Sequence, residues 1–189
     1  MTSTKVRFSG GKNGNEKIAN FKYTVLTSAN NNYLFGSGEN MVNGVKASGL
    51  ANPDLKWEES EQLDLGIDFG FFNNALTFTA DYYKKTTNGM LMEMNIPSYV
   101  GESKPIGNVG KMENSGVELE AAYKFRVRDW NFRVAGNLSY LKNELIEYGN
   151  DSGWANLDSF QGIGTITRAQ NSMPFTYFYG YNTAGVFQN

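Results

Sequence analysis

Apolar and polar residues alternate with a period of two along two stretches of this chain, the mark of strands with one apolar face. From Gln62 to Gly70, Leu63, Leu65, Ile67 and Phe69 point one way, while Gln62, Asp64, Gly66 and Asp68 point the other. Leu76 to Lys84 repeats the pattern, with Leu76, Phe78, Ala80 and Tyr82 set against Thr77, Thr79, Asp81 and Tyr83. A two-residue turn at Asn73-Asn74 joins the two runs, because Asn tolerates the positive φ of a type I′ turn. The register then pairs Phe71 with Leu76, Phe69 with Phe78 and Leu65 with Tyr82, so apolar meets apolar on one face.

A second hairpin follows the same plan. Val117, Leu119, Ala121, Tyr123 and Phe125 alternate with Glu118, Glu120, Ala122 and Lys124; Trp130, Phe132, Val134, Gly136, Leu138 and Tyr140 alternate with Asn131, Arg133, Ala135, Asn137 and Ser139. A turn at Arg128-Asp129 pairs Phe125 with Phe132, Leu119 with Leu138 and Val117 with Tyr140. It also sets Lys124 opposite Arg133, an unfavourable like-charge pair that nearby acids in a wet lumen could offset. Matched apolar faces predict that the two hairpins are neighbours in one antiparallel sheet.

Weaker strands are predicted at Thr2–Ser9, Phe21–Ser28, Met90–Ile96, Thr165–Arg168 and Phe175–Gly180. Long polar loops, rich in Gly, Asn, Ser and Pro, are predicted over Ala29–Glu61, Asn95–Ser115 and Asn143–Gly162. Short turns at one rim and long loops at the other are the habit of outer-membrane barrels.

Alternation fits a soluble sandwich as well as a membrane barrel, since both bury one face. Two features favour the membrane. The best strands run nine to eleven residues, the length that crosses a bilayer when tilted, against about five to six in ordinary strands. Aromatic residues also gather at both ends of the apolar face: Phe69, Phe71, Phe125 and Trp130 near the turns, Tyr82 and Tyr140 at the far ends, as in two interfacial girdles. The fold class expected is all-β: an antiparallel up-and-down meander forming part of a transmembrane β-barrel, open or incomplete as it stands. A small self-contained outer-membrane or surface-adhesion barrel and a soluble carbohydrate-binding sandwich stay open on these grounds.

Composition narrows the chemistry. The 189 residues include no His and no Cys, which leaves out a zinc site of the usual ligands, a thiol nucleophile and a Ser-His-Asp triad. Net charge is −2 with no basic run, so nucleic acid is not an expected partner. No stretch approaches the roughly 18 apolar residues of a spanning helix. The negative mean hydropathy of −0.46 does not argue against a barrel, because half of each spanning strand faces a polar lumen. No apolar leader follows Met1, and Phe187-Gln188-Asn189 ends without a cap; the chain reads as a piece of a longer protein.

One string is more specific than any of this. Asn52-Pro53-Asp54-Leu55-Lys56-Trp57-Glu58 precedes Glu61-Gln62 and the Leu63 strand; Asn73-Asn74 and Asp81-Tyr82-Tyr83-Lys84-Lys85-Thr86 follow. Further along stand Asn108-Val109-Gly110, Asn114-Ser115-Gly116-Val117-Glu118-Leu119, the strand from Trp130 to Asn143, Phe178-Tyr179-Gly180-Tyr181 and Gly185-Val186-Phe187-Gln188-Asn189. In this order they resemble the barrel domain of SusC/RagA-family TonB-linked outer-membrane proteins of Bacteroidetes. Gly11-Lys12-Asn13-Gly14-Asn15 resembles a turn of that family. The resemblance spans residues 1–189 as a partial TonB-dependent receptor barrel domain. It implies an outer-membrane transporter importing oligosaccharides or peptides, seated in the lipid bilayer, driven by TonB and covered by a SusD-like lipoprotein. A whole barrel of this class has about 22 strands, of which about eight or nine are visible here.

No catalytic residue, cofactor or metal is expected. Glu118 and Glu120 share one strand face and sit side by side, unlike carboxylates that flank a bound sugar. Asp54, Glu58, Glu59 and Glu61 lack the spacing of a calcium loop. Gly10-Gly11-Lys12-Asn13-Gly14 lacks the strand–loop–helix context of a phosphate cradle and reads as a turn. The residues expected to contact ligand or partner are Tyr99, Tyr148 and Trp154, loop aromatics suited to stacking on a sugar ring.

Overall fold

The computed structural model describes residues 1–18, 20–37, 40–94, 96–162, 164–182 and 185, and for Asn30 and Asn31 the backbone alone. Five strands build the main sheet: β1 (Ser3–Asn15), β4 (Glu58–Phe71), β5 (Leu76–Glu93), β6 (Ile106–Val127) and β7 (Trp130–Glu147), in the order β1-β4-β5-β6-β7, every pair antiparallel. A separate hairpin, β2 (Thr27–Phe35) with β3 (Asn40–Ala47), fills part of the excursion between β1 and β4. Three short strands, β8 (Trp154–Asn156), β9 (Thr167–Gln170) and β10 (Tyr177–Phe178), form a third sheet with β9 in the middle.

Both hairpin registers are those expected. Phe71 faces Leu76, Phe69 faces Phe78 and Leu65 faces Tyr82; Phe125 faces Phe132, Leu119 faces Leu138 and Val117 faces Tyr140. Asn73 and Asn74 adopt φ of 54° and 62°, and Ala75 donates its N–H to the Phe72 carbonyl at 3.0 Å, closing the turn. The hairpins are adjacent through the β5–β6 pairing, which sets Ala80 against Leu119 and Tyr82 against Val117. Lys124 does face Arg133; Glu120 approaches the Arg133 guanidinium at 4.0 Å, a weak offset at this exposure.

The strands outrun the expected lengths. β6 has 22 residues, about 70 Å of extended chain, twice what a bilayer requires. Ile106–Ser115, expected in a loop, is strand, as are Glu58–Glu61 and Asn143–Glu147. Beyond the apolar band both faces are wet, so alternation fades while backbone pairing continues. For the same reason Gly10–Gly14 is not a turn: it pairs with β4, Gly10 facing Leu63 and Gly14 facing Glu59, and Lys12 bonds Glu59 at 2.6 Å. The strand expected at Phe21–Ser28 lies later, at Thr27–Phe35, because Phe21 turns the chain at positive φ. Met90–Glu93 is the tail of β5, and of the segment Val186–Asn189 nothing lies within the described residues.

This sheet has almost no interior. Among the described residues the buried apolar side chains are Ala122, Leu145 and Ala169. The chain exposes 14616 Å², against about 9,000 Å² for a compact monomer of its mass. Val6, Phe8, Leu65, Tyr82, Val117, Leu138 and Tyr140 form one continuous exposed apolar belt across all five strands. No second layer covers that belt among the described residues.

Candidate functional site

Three regions carry the chemistry. The first is the apolar belt. At the short-turn rim its aromatics touch: Phe125 stacks on Phe132 at 5.2 Å and on Tyr123 at 5.5 Å, and Phe69 lies 6.2 Å from Phe71. Above Tyr82 and Tyr140, the same face carries a row of ion pairs, Lys84–Glu113 at 2.8 Å and Lys142–Glu144 at 2.6 Å. An apolar band closed by aromatics and then by charge is what an outward barrel surface needs at a membrane–water boundary.

The second is the opposite, polar face. Arg7 of β1 donates Nε to Asp68 of β4 at 3.0 Å and reaches over to Asp81 of β5 at 2.8 Å. Thr79 donates its hydroxyl to Asp68 at 3.0 Å. Arg7 and Asp81 both face Gly66 in register; a Cβ there would fall inside the contact distance of both side chains, so glycine is the residue that lets the guanidinium cross. Glu118 and Glu120 lie on this face in register with Asp81 and Thr79.

The third is the long-loop rim. Tyr99 stands on a short 3-10 turn, Ser98–Val100, between β5 and β6, and is 88% exposed. Tyr148 is half-buried; its N–H donates to the Asn171 side chain at 2.9 Å. Burial pushes its phenol up from the ordinary tyrosine range, and Glu93 adds in the same direction. Gly149, at φ +66°, packs so close to Val109 that any side chain would collide, which seats this turn on β6. Trp154 begins β8, and the Arg168 guanidinium lies over its ring, 4.4 Å from the centroid, and over the Tyr179 ring at 3.4 Å. Asn171 donates its N–H to the Gly153 carbonyl at 2.8 Å. Tyr148 and Trp154 thus belong to one assembly of strand ends, whereas Tyr99 sits on another loop.

Two sets of residues were not legible in advance. Arg168 and Tyr179 reach Trp154 only through the pairing of β9 with β8 and β10. Asn52 and Asn108 fasten the Asn52–Glu58 string: Asn108 donates to the carbonyls of Lys56 and Gly89 at 2.7 and 2.9 Å and accepts the Lys56 N–H at 2.7 Å. Asn52 donates to the Ile106 carbonyl at 3.0 Å, and Glu58 accepts the Leu91 N–H at 2.8 Å and the Asn15 amide at 2.9 Å. The asparagines in the family string gave a signal; their partners did not. Glu59 and Glu61 are paired with Lys12.

Comparison with known proteins now decides the class. A family model described as TonB dependent receptor-like, beta-barrel, matches residues 18–187. The chain belongs to the TonB-dependent receptor-like β-barrel family. Its strands are those of an outer-membrane barrel, a class in which apolar strand faces meet lipid and polar faces line the lumen. The chain is 34% identical over its whole length to TonB-dependent receptor P3 of Formosa agariphila and 29% identical to TonB-dependent receptor SusC of Bacteroides thetaiotaomicron, covering 19% of each. The solved RagAB peptide importer in its open-open state matches 93% of this chain, at 28% identity and a TM-score of 0.76, with 18% of that chain covered. The chain therefore spans about a fifth of the length of these relatives.

Proposed function

We propose that residues 1–189 are one sector of the barrel wall of a TonB-driven importer of oligosaccharides or peptides, working with a SusD-like lipoprotein lid. The observation that carries this reading is the single-layer sheet: one face apolar and uncovered, the other polar and charged, with long loops at one rim. A sheet built for a barrel of about 22 strands has two open edges when taken alone. The importer named above, which this chain resembles over nearly all its length, supports the same reading.

In this reading β1 and β4–β7 line the lumen with Arg7, Asp68, Asp81, Glu118 and Glu120, and the rim aromatics Tyr99, Tyr148 and Trp154 meet substrate or lid. The test is uptake by whole cells carrying the full-length receptor, by a receptor deletion, and by a strain lacking TonB. A labelled peptide pool and a labelled oligosaccharide pool are offered separately. One pool should enter only the first strain. Equal uptake of both pools by all three strains contradicts the proposal.

A further inference from the structure

The small sheet of β8, β9 and β10 presents one face of unusual composition. Directly paired residues share a face, so Asn156, Arg168 and Tyr177 lie in one row, with Trp154, Gln170 and Tyr179 beside them. The opposite face carries Ala155 and the fully buried Ala169. The sheet is anchored to the main wall where Leu145 and Met173 exchange backbone contacts, Leu145 donating to Met173 at 2.9 Å and Ser172 to Leu145 at 2.7 Å.

At the centre of the polar face stands Arg168. Its guanidinium lies over Trp154 and over Tyr179, and its Nε donates to Asn156 at 3.0 Å. Among the described residues no carboxylate pairs with it and no acceptor takes its Nη hydrogens. A half-buried arginine ordinarily finds an acid, because its fork of N–H groups suits a carboxylate in two-point contact. Ring contact consumes none of those N–H groups. Here two aromatics and one amide hold the side chain in place, and among the described residues its terminal nitrogens are unclaimed. Gln170, bonded by the Tyr177 hydroxyl at 2.8 Å, stands beside it.

We propose that this face is a carboxylate-reading subsite for the imported substrate, with Arg168 as the group that selects an anionic residue and Trp154 and Tyr179 as its aromatic walls. The inference rests on the importer reading given above. A uronic acid in an oligosaccharide and an acidic residue in a peptide offer the same chemistry, and either suits the face.

The full-length receptor in detergent is titrated calorimetrically with four probes: tri-galacturonate, its methyl ester, an aspartate-containing pentapeptide amide, and its asparagine twin. Wild type should bind one carboxylate probe at least about tenfold more tightly than its neutral twin, as expected for charge-assisted hydrogen bonds. The arm that responds identifies the source of the carboxylate. R168Q should erase the preference, bringing the carboxylate probe to the affinity of its neutral twin. R168K, which keeps the charge and loses the fork, should show an intermediate preference and serves where R168Q does not fold. Absence of preference in both wild-type arms, or a preference undiminished in R168Q or R168K, overturns the proposal. Uptake without carboxylate preference counts against this inference alone; no uptake of any pool counts against the importer reading.

Discussion

Arg7 and Asp81 stand on strands that are not neighbours, yet their side chains meet at 2.8 Å across Gly66 of the strand between them. Three strands are thereby tied by one guanidinium on the polar face. G66A should drive a methyl group into that crossing and lower stability by about 1–3 kcal/mol, the usual cost of overpacking. Gly11 lies on the same face with open space above it, so G11A is the control. Urea titration of the full-length receptor in detergent checks both; equal midpoints would remove the role assigned to Gly66.

The Asn52–Glu58 string is held by side chains rather than by strand pairing. N108A removes three hydrogen bonds, two of them to Lys56, each worth about 0.5–1.5 kcal/mol net. Trypsin should then cut after Lys56 at least about tenfold faster in the folded receptor, since local opening governs such cleavage. An unchanged cleavage rate would show that the segment is fixed by other contacts.

Tyr148 should titrate late. Its folded-state pKa is raised by burial and then by Glu93, so the folded state holds the phenolic proton more tightly than the unfolded chain. Its contribution to stability is intact below the unfolded value of about 10 and is lost as pH rises through the higher folded value. Phenolate absorbance of the receptor minus that of Y148F should show one group ionising above the ordinary range. A difference curve centred in the ordinary range would contradict the packing described for this turn.

The hairpins were legible because each spanning segment has one apolar and one polar face, and a slip of one residue would exchange them. Asn73-Asn74 then fixed the register through the conformations that Asn tolerates. The strand ends were not legible. Above the apolar band, residues such as Lys111 and Asn143 meet water or other polar groups on both faces, and only the backbone ladder keeps them extended. The same loss of contrast hid the β2–β3 hairpin inside a polar stretch and made Gly10–Gly14 look like a turn. At the rim, Trp154 was visible as a loop aromatic, whereas Arg168 became meaningful only when strand pairing placed it over that ring.

The central claim is that the belt running through Leu65, Leu119 and Leu138 faces lipid while Asp68, Glu118 and Ser139 face the lumen. Nitroxide labels placed singly at Glu118, Leu119, Glu120, Ala121, Lys124 and Phe125 of the full-length receptor, reconstituted in bilayers, test it directly. This stretch of chain contains no cysteine to compete for the label. Collisional accessibility to oxygen, which partitions into lipid, should peak at Leu119, Ala121 and Phe125. Accessibility to a water-soluble nickel chelate should peak at Glu118, Glu120 and Lys124, giving the period of two of a spanning strand. Labels equally open to nickel on both faces, without alternation, would contradict the account.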